Sequence, residues 1–182
     1  MTIREAQEEM RRVYVDGAIG SFVSGAIWLA SAALATAGSR TQAVLALVLG
    51  GTFIFPIMLL VLVALRRPTA VSKENPLSAL AMQVAFTIPL AIPLILAATQ
   101  YRSEWFYCGF LIVVGAHYLP FVTLYGLPHY AIAGVLMVAA GIALPTVRPG
   151  EFALGGWVGG ALLVLLGVVL LLGRRARAHH SP

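Results

Sequence analysis

Ser24, Gln83 and His117 are the residues of this chain whose types and spacing could do chemistry, because each places a hydrogen-bonding group inside a run of apolar residues. His117 stands out, lying near the middle of the stretch from Phe106 to Leu124. An ionisable side chain at such a depth is a functional-site hypothesis by default. Counted inward from one set of segment ends, Ser24 is eight residues from Asp16, Gln83 eight from Asn75, and His117 eight from Tyr125. If the segments are near-vertical helices, all three sit about 12 Å below one membrane boundary. Thr87, one turn beyond Gln83, and Tyr118, beside His117, extend the set. A neutral imidazole offers one donor and one acceptor, the amide offers both, and the hydroxyls turn to suit. Together they suit the polar part of a small neutral or amphipathic ligand. The same groups could instead bond only one another and lock helices together, at about 0.6 kcal/mol per bond in membrane bundles.

The elements that must position these residues are set by composition. The chain of 182 residues is 60% hydrophobic and only 10% charged, with a mean hydropathy of +0.91. An ordinary soluble domain would be about 25% charged. A spanning helix needs about 20 mostly apolar residues. Six such stretches occur: Gly17 to Ala37, Gln42 to Leu65, Leu77 to Ala98, Phe106 to Tyr125, Pro128 to Thr146, and Phe152 to Leu172. Gly126 and Pro128 mark a tight turn between the fourth and fifth. The stretches are continuously apolar rather than alternating, which favours helices over a spanning barrel. The fold class is therefore all-α, an integral membrane bundle of six transmembrane helices.

Residues 1 to 15 form a different element. Thr2 and Glu5 fit a capping box, while Ile3, Ala6, Met10, Val13 and Tyr14 recur on one face. The other face offers Arg4 to Glu8 and Glu8 to Arg12 pairs at four-residue spacing. This predicts a short amphipathic surface helix packed against the bundle's own loops, because its mixed charge suits anionic lipid poorly. Residues 16 to 173 are the transmembrane domain, and 174 to 182 a basic tail.

Lysine and arginine set the expected orientation. Arg4, Arg11, Arg12, Arg66, Arg67, Lys73, Arg174, Arg175 and Arg177 fall on one side; Arg40, Arg102 and Arg148 fall on the other. The excess belongs in the cytoplasm with both termini. Topology accounts for the net charge of +5, and the scattered loop cations form no face for nucleic acid. Small residues after the first stretch imitate a signal cleavage site, yet Glu5, Glu8, Glu9 and Asp16 precede it. It reads as a retained span.

Motifs for other chemistry are missing. There is no His-Glu-x-x-His metal motif, no Gly-x-Ser-x-Gly elbow, no phosphate-cradling glycine loop and no carboxylate pair for acid/base work. No Asp, Glu, Lys or Arg lies within a span as drawn, which disfavours ion-coupled carriers and charged-ring channels. No metal or cofactor is expected. Cys108 is the lone cysteine, so no intrachain disulfide can form. An enzyme using His117 as base would lack the orienting carboxylate such a base often has.

Pro89 and Pro93 should kink the third span. Gly17, Ser21 and Gly25, and the overlapping pairs Gly155/Gly159 and Gly156/Gly160, mark close helix contacts. The second set reads as a face for contact within the bundle or for a homodimer. Gly51 to Pro56 and Gly115 to Pro120 also share a Gly-x-x-x-x-Pro outline, with Phe53 in the place of His117.

Around Asn75-Pro76-Leu77, Ala81 to Phe86, Trp105-Phe106-Tyr107 and Val114 to Phe121, the chain resembles a family of small bacterial polytopic membrane proteins of unknown function. The resemblance covers the first five spans. It implies a bacterial plasma-membrane protein and supplies no activity, substrate or catalytic residue.

Overall fold

A computed structural model describes the backbone of residues 1–179 and the side chains of residues 1–177. Seven α-helices follow in order: α1 (Ile3–Tyr14), α2 (Ala18–Ala37), α3 (Arg40–Ala64), α4 (Leu77–Tyr101), α5 (Trp105–Tyr125), α6 (His129–Val147) and α7 (Leu154–His179). No strand occurs among the described residues. Six helices are long and apolar enough to cross a membrane. The last begins later and runs further than its hydropathy suggests, so the expected basic tail starts as the final turns of α7. Residues 180–182 of that tail lie outside the described residues.

Helix ends follow local chemistry. The Thr2 hydroxyl accepts from the Glu5 amide while the Glu5 carboxylate accepts from the Thr2 amide, closing the capping box of α1. Ser39 and Gln42 do the same for α3. Gly126 ends α5 in the left-handed region at φ 65°. Between α1 and α2, three successive residues are left-handed: Val15 at φ 55°, Asp16 at 56° and Gly17 at 81°. This turns the chain from a surface helix into a spanning one. Left-handed geometry costs an L-residue about 1–2 kcal/mol, so surrounding contacts must hold it.

Those contacts come from α1 itself. Ala6, Met10 and Val13 are buried, whereas Ile3, expected on the same face, is 54% exposed. Gln7 donates to the Thr123 carbonyl at 2.8 Å, and Arg11 to the Tyr125 carbonyl at 2.5 Å, meeting orphan carbonyls at the end of α5. The Glu9 carboxylate accepts from Ser72 N, Ser72 Oγ and Asn75 Nδ2. Glu8 pairs with Arg4 and with Arg11; the expected Arg12 partner is replaced because Arg11 lies nearer to Glu8 while its other nitrogen bonds Tyr125.

The spans form an inner group and an outer pair. α5 packs most extensively on α6, and α2 on α7 and α3, while α4 rests mainly on α5. α3 and α4 bury few side chains. Lipid tails are as apolar as leucine, so close packing and polar bonds hold helices together here. A Cβ added to Gly115 of α5 would lie 2.6 Å from the Gly134 carbonyl of α6, and one added to Gly134 would lie 2.6 Å from that of Gly115. Buried rings of Trp28, Phe106, Tyr107, Phe110 and Phe152 fill the end away from the termini. Tyr118, Phe121, Tyr125 and Tyr130 fill the other.

Two outcomes follow. Gly115→Val should separate α5 from α6 and lower the thermal midpoint in detergent, whereas Gly51→Ala, with nothing within 4 Å of the new methyl, should leave it unchanged or raise it through helix propensity of up to about 1 kcal/mol. The Asn75 amide first, then the Ser72 bonds, hold the Glu9 carboxyl below the usual glutamate range. A depressed carboxyl stabilises above its unfolded value and loses that stabilisation as pH falls through its folded one. Hydrogen exchange of α1 amides should therefore quicken in acid, below the ordinary glutamate range, and Glu9→Gln should remove that pH dependence.

Candidate functional site

His117 projects from α5 toward α4. Its Nδ1 lies 3.0 Å from the Val84 carbonyl and 3.0 Å from Thr87 Oγ1. A carbonyl only accepts, so the bond to Val84 requires the proton on Nδ1 and leaves Nε2 as a lone-pair acceptor. The Thr87 hydroxyl donates back to the same carbonyl at 2.8 Å. One face of the ring packs among Tyr118 and Phe121, with centroids 5.8 and 4.9 Å away. These contacts fasten α4 to α5, and the side chain remains only partly buried.

Of the five residues read as a site, the structure brings His117 and Thr87 into hydrogen-bond contact. Tyr118 adjoins the imidazole and is buried toward Ser21 of α2, whose hydroxyl donates to the Gly17 carbonyl. Ser24 lies one turn beyond Ser21, buried on a stripe of α2 with Trp28 and Ser31. No hydrogen bond joins it to His117 or Gln83. Equal depth did not bring Ser24 to the imidazole because α2 packs chiefly on α7 and α3, whereas His117 turns toward α4.

Gln83 sits one turn from Thr87, and both are exposed. Gln83 makes no hydrogen bond to any described residue. Phe86, Leu90 and Leu94 beside them are 57%, 77% and 74% exposed, so an amide and a hydroxyl share a face otherwise made for hydrocarbon. Pro89 and Pro93 lie within α4, removing the donors that would reach the carbonyls of Ala85 and Pro89. An open cavity of about 450 Å³ lies elsewhere, lined by Thr36, Arg40, Glu151, Phe152 and Trp157 at the far end.

A second polar centre was not singled out from the sequence. Asp16 is 1% exposed. Its carboxylate pairs with Arg177 and, at 3.7 Å, with Arg174, both on α7. Its carbonyl accepts from Tyr130 Oη of α6 at 2.6 Å. Arg174 also donates to the Arg11 carbonyl at 2.9 Å. The signal was available: an even number of spans returns the last helix to the first, where a carboxylate and arginines flank opposite ends of the chain. At the far end, Tyr107 bonds Ser31 at 2.6 Å, and Ser31 donates to the Ala43 carbonyl of α3 at 2.8 Å. That relay ties α5, α2 and α3 together.

The glycines considered for a homodimer are all buried inside the protomer. Added Cβ atoms at Gly155 and Gly156 would strike Tyr107; those at Gly159 and Gly160 would strike Trp28 and Leu29. The close approach they allow is that of α7 to α2 and α5 of the same chain. Among the described residues no group of His, Cys, Asp and Glu is arranged to hold a metal ion, and Cys108 is buried.

Six apolar helices with polar groups fastening them from within define a multi-pass membrane protein of helical-bundle type. The chain belongs to a family of unknown function (DUF7010), whose model matches residues 3–173. No curated protein matches the chain, and no solved structure matches it.

Asp16→Ala should leave Arg174 and Arg177 facing a buried boundary and release α1 from α7. A loss of about 2 kcal/mol is expected from hydrogen bonds to a charged group, read as a lower thermal midpoint together with faster proteolysis within residues 1–15. Unchanged proteolysis would argue against Asp16 as the tether.

Proposed function

We propose that this protein binds the polar part of a small neutral or amphipathic molecule that reaches the α4/α5 seam sideways from the bilayer. Gln83 and Thr87 supply an amide and a hydroxyl, and the imidazole of His117 supplies an acceptor. The observation that carries this reading is Gln83, an exposed amide on a spanning helix with no hydrogen-bond partner among the described residues. Leaving such a group unbonded in hydrocarbon costs several kcal/mol, so a visiting polar group has a favourable place to bind. The carbonyls of Ala85 and Pro89, deprived of their usual donors by Pro89 and Pro93 in turn, offer further acceptors on the same helix.

The rival reading, helix fastening without a ligand, is favoured at two positions. His117 already bonds Val84, and Ser24 is buried within α2's inner stripe. A membrane enzyme with His117 as base has less support, since among the described residues the one side chain bonded to the imidazole is the Thr87 hydroxyl. In this reading the protein is a bacterial plasma-membrane protein with both termini in the cytoplasm. The nine-to-three bias of basic residues supports that orientation, and the family resemblance supports the bacterial source.

The test is photolabelling in vesicles with a long-chain fatty alcohol carrying a diazirine, whose hydroxyl is the neutral polar group the site should accept. Label is expected on the peptides carrying 83–87 and 117. Gln83→Leu should reduce it severalfold, as should His117→Phe, while Thr52→Val on α3 should not. Equal labelling of wild type and both variants would leave helix fastening as the better account.

A further inference from the structure

The ends of α1, α3 and α7 converge where the chain is most basic. Val15, Met58 and Leu62 form a small buried cluster, with Leu171 of α7 packed against it. The guanidinium of Arg67 donates through Nη2 to the Arg12 carbonyl at 2.8 Å, and that of Arg174 donates to the Arg11 carbonyl. Two arginines from distant elements thus satisfy the last turn of α1, where the helix dipole is negative.

Several cations at this corner are left over. Asp16 is taken by Arg174 and Arg177, and Glu9 is taken by Ser72 and Asn75 while remaining near enough to Arg12 to feel its charge. Among the described residues, Arg12, Arg66, Arg67 and Arg175 have no carboxylate bonded to them. The Arg67 Nε–H is sealed from solvent with no acceptor among the described residues. An orphaned, charged N–H is costly and calls for an acceptor.

Arg66 adds a backbone observation. It closes α3 in a Schellman arrangement, with Arg66 N bonded to Val63 O and Arg67 N to Leu62 O. The residue at that corner is left-handed, at φ 53°, where glycine is preferred. Arginine stands there and is exposed.

Depth completes the argument. Leu60, Val63 and Leu65, 68%, 61% and 58% exposed, directly precede Arg66. Leu165, Val168 and Leu172 form an exposed stripe on α7 that ends just before Arg174 and Arg175. Apolar surface followed by guanidinium groups matches acyl chain followed by phosphate. We infer that the corner formed by the ends of α1, α3 and α7 binds the phosphate of an anionic phospholipid, held by Arg66 and Arg175 at the rim, with a small shift of the Arg67 guanidinium bringing its sealed Nε–H to the same phosphate. Basic pockets at membrane-helix ends take such headgroups, each cation adding to the attraction.

The test uses the full chain in detergent micelles, titrated with phosphatidylglycerol, phosphatidylcholine or inorganic phosphate. Lipid retention is read by native mass spectrometry and thermal protection by tryptophan fluorescence. Phosphatidylglycerol should be retained and should raise the midpoint, and salt should weaken the effect. R66G combined with R175Q should weaken its affinity about tenfold or more while leaving the midpoint without added lipid unchanged or higher, since glycine suits the corner. R66K combined with R175K should keep most of the binding, and R175Q alone should lose part of it, which covers a double variant that folds poorly. Equal retention of phosphatidylcholine, or undiminished phosphatidylglycerol binding by both R175Q and the double variant, overturns the proposal. Equal protection by inorganic phosphate would make the site one for a free anion and overturn the lipid assignment.

Discussion

A buried carboxylate at the point where the chain enters its first span is the constraint on which the rest depends. Asp16 is almost fully sealed, and a charge in that position is tolerated only when opposite charge and hydrogen bonds surround it. The partners come from the far end of the chain, Arg174 and Arg177, so the last span must return beside the first. Tyr130 reaches the backbone carbonyl of the same residue and fixes the start of α6. The left-handed run from Val15 to Gly17 is held open between these contacts. A Cβ on Gly17 would lie 2.0 Å from the Tyr130 hydroxyl oxygen, so no other residue fits there without displacing the buried Tyr130 ring that holds the Asp16 carbonyl. One ion-paired residue thereby joins the surface helix, the first span, the fifth and the last.

That arrangement explains how α1 stays in place. Its inward face is small, with Ala6, Met10 and Val13 buried, and a twelve-residue helix would be marginal alone. Directed polar contacts make up the difference. Gln7 and Arg11 meet the end of α5, Glu9 meets the loop before α4, and the C-terminal carbonyls of α1 receive Arg67 and Arg174. Each contact pairs an unsatisfied backbone or charged group with a complementary one, so α1 serves as the common cap for several helices.

Much of this was legible in the sequence, and the reasons for success and failure are physical. Hydropathy identifies spans because a hydrocarbon slab imposes length and composition on each one separately. The Thr2/Glu5 box and the Gly126 turn are local, so they too could be read directly. Depth is nearly local, since it is a count of residues. Rotation about the helix axis is not, and two of the differences trace to it. Depth places Ser24 level with His117, yet Ser24 lies on the buried stripe of α2 while His117 turns to Val84 of α4. Gly155 to Gly160 were rightly read as a contact face, but whether Trp28 and Tyr107 or a second copy fills it depends on which way α7 turns. Asp16 lies just outside a span, where a carboxylate is ordinary, so hydropathy alone does not mark it.

The outer pair of helices bears on function through the same reasoning. The inner helices answer several of their buried polar groups internally: Ser31 with Tyr107 and Ala43, Ser21 with Gly17, and Tyr130 with the Asp16 carbonyl, while His129 Nδ1 at the start of α6 is sealed with no partner among the described residues. α3 and α4 bury little and face outward. A helix in that position is expected to be apolar on its outer side, because hydrocarbon offers nothing to a donor or acceptor. α3 nearly complies, since Thr52 bonds back to its own helix at the Leu49 carbonyl. Thr87 on α4 also bonds back, to Val84, but Gln83 is too long and too rich in donors to be satisfied by its own backbone in this way, and it makes no bond at all among the described residues. The difference between these two outer helices is therefore one of unmet polarity, concentrated on α4 within a turn of the His117 bond. Helix fastening accounts for His117 and Thr87, whose bonds are made within the chain. It leaves Gln83 without a role, and that amide gives the α4/α5 seam its claim to a ligand.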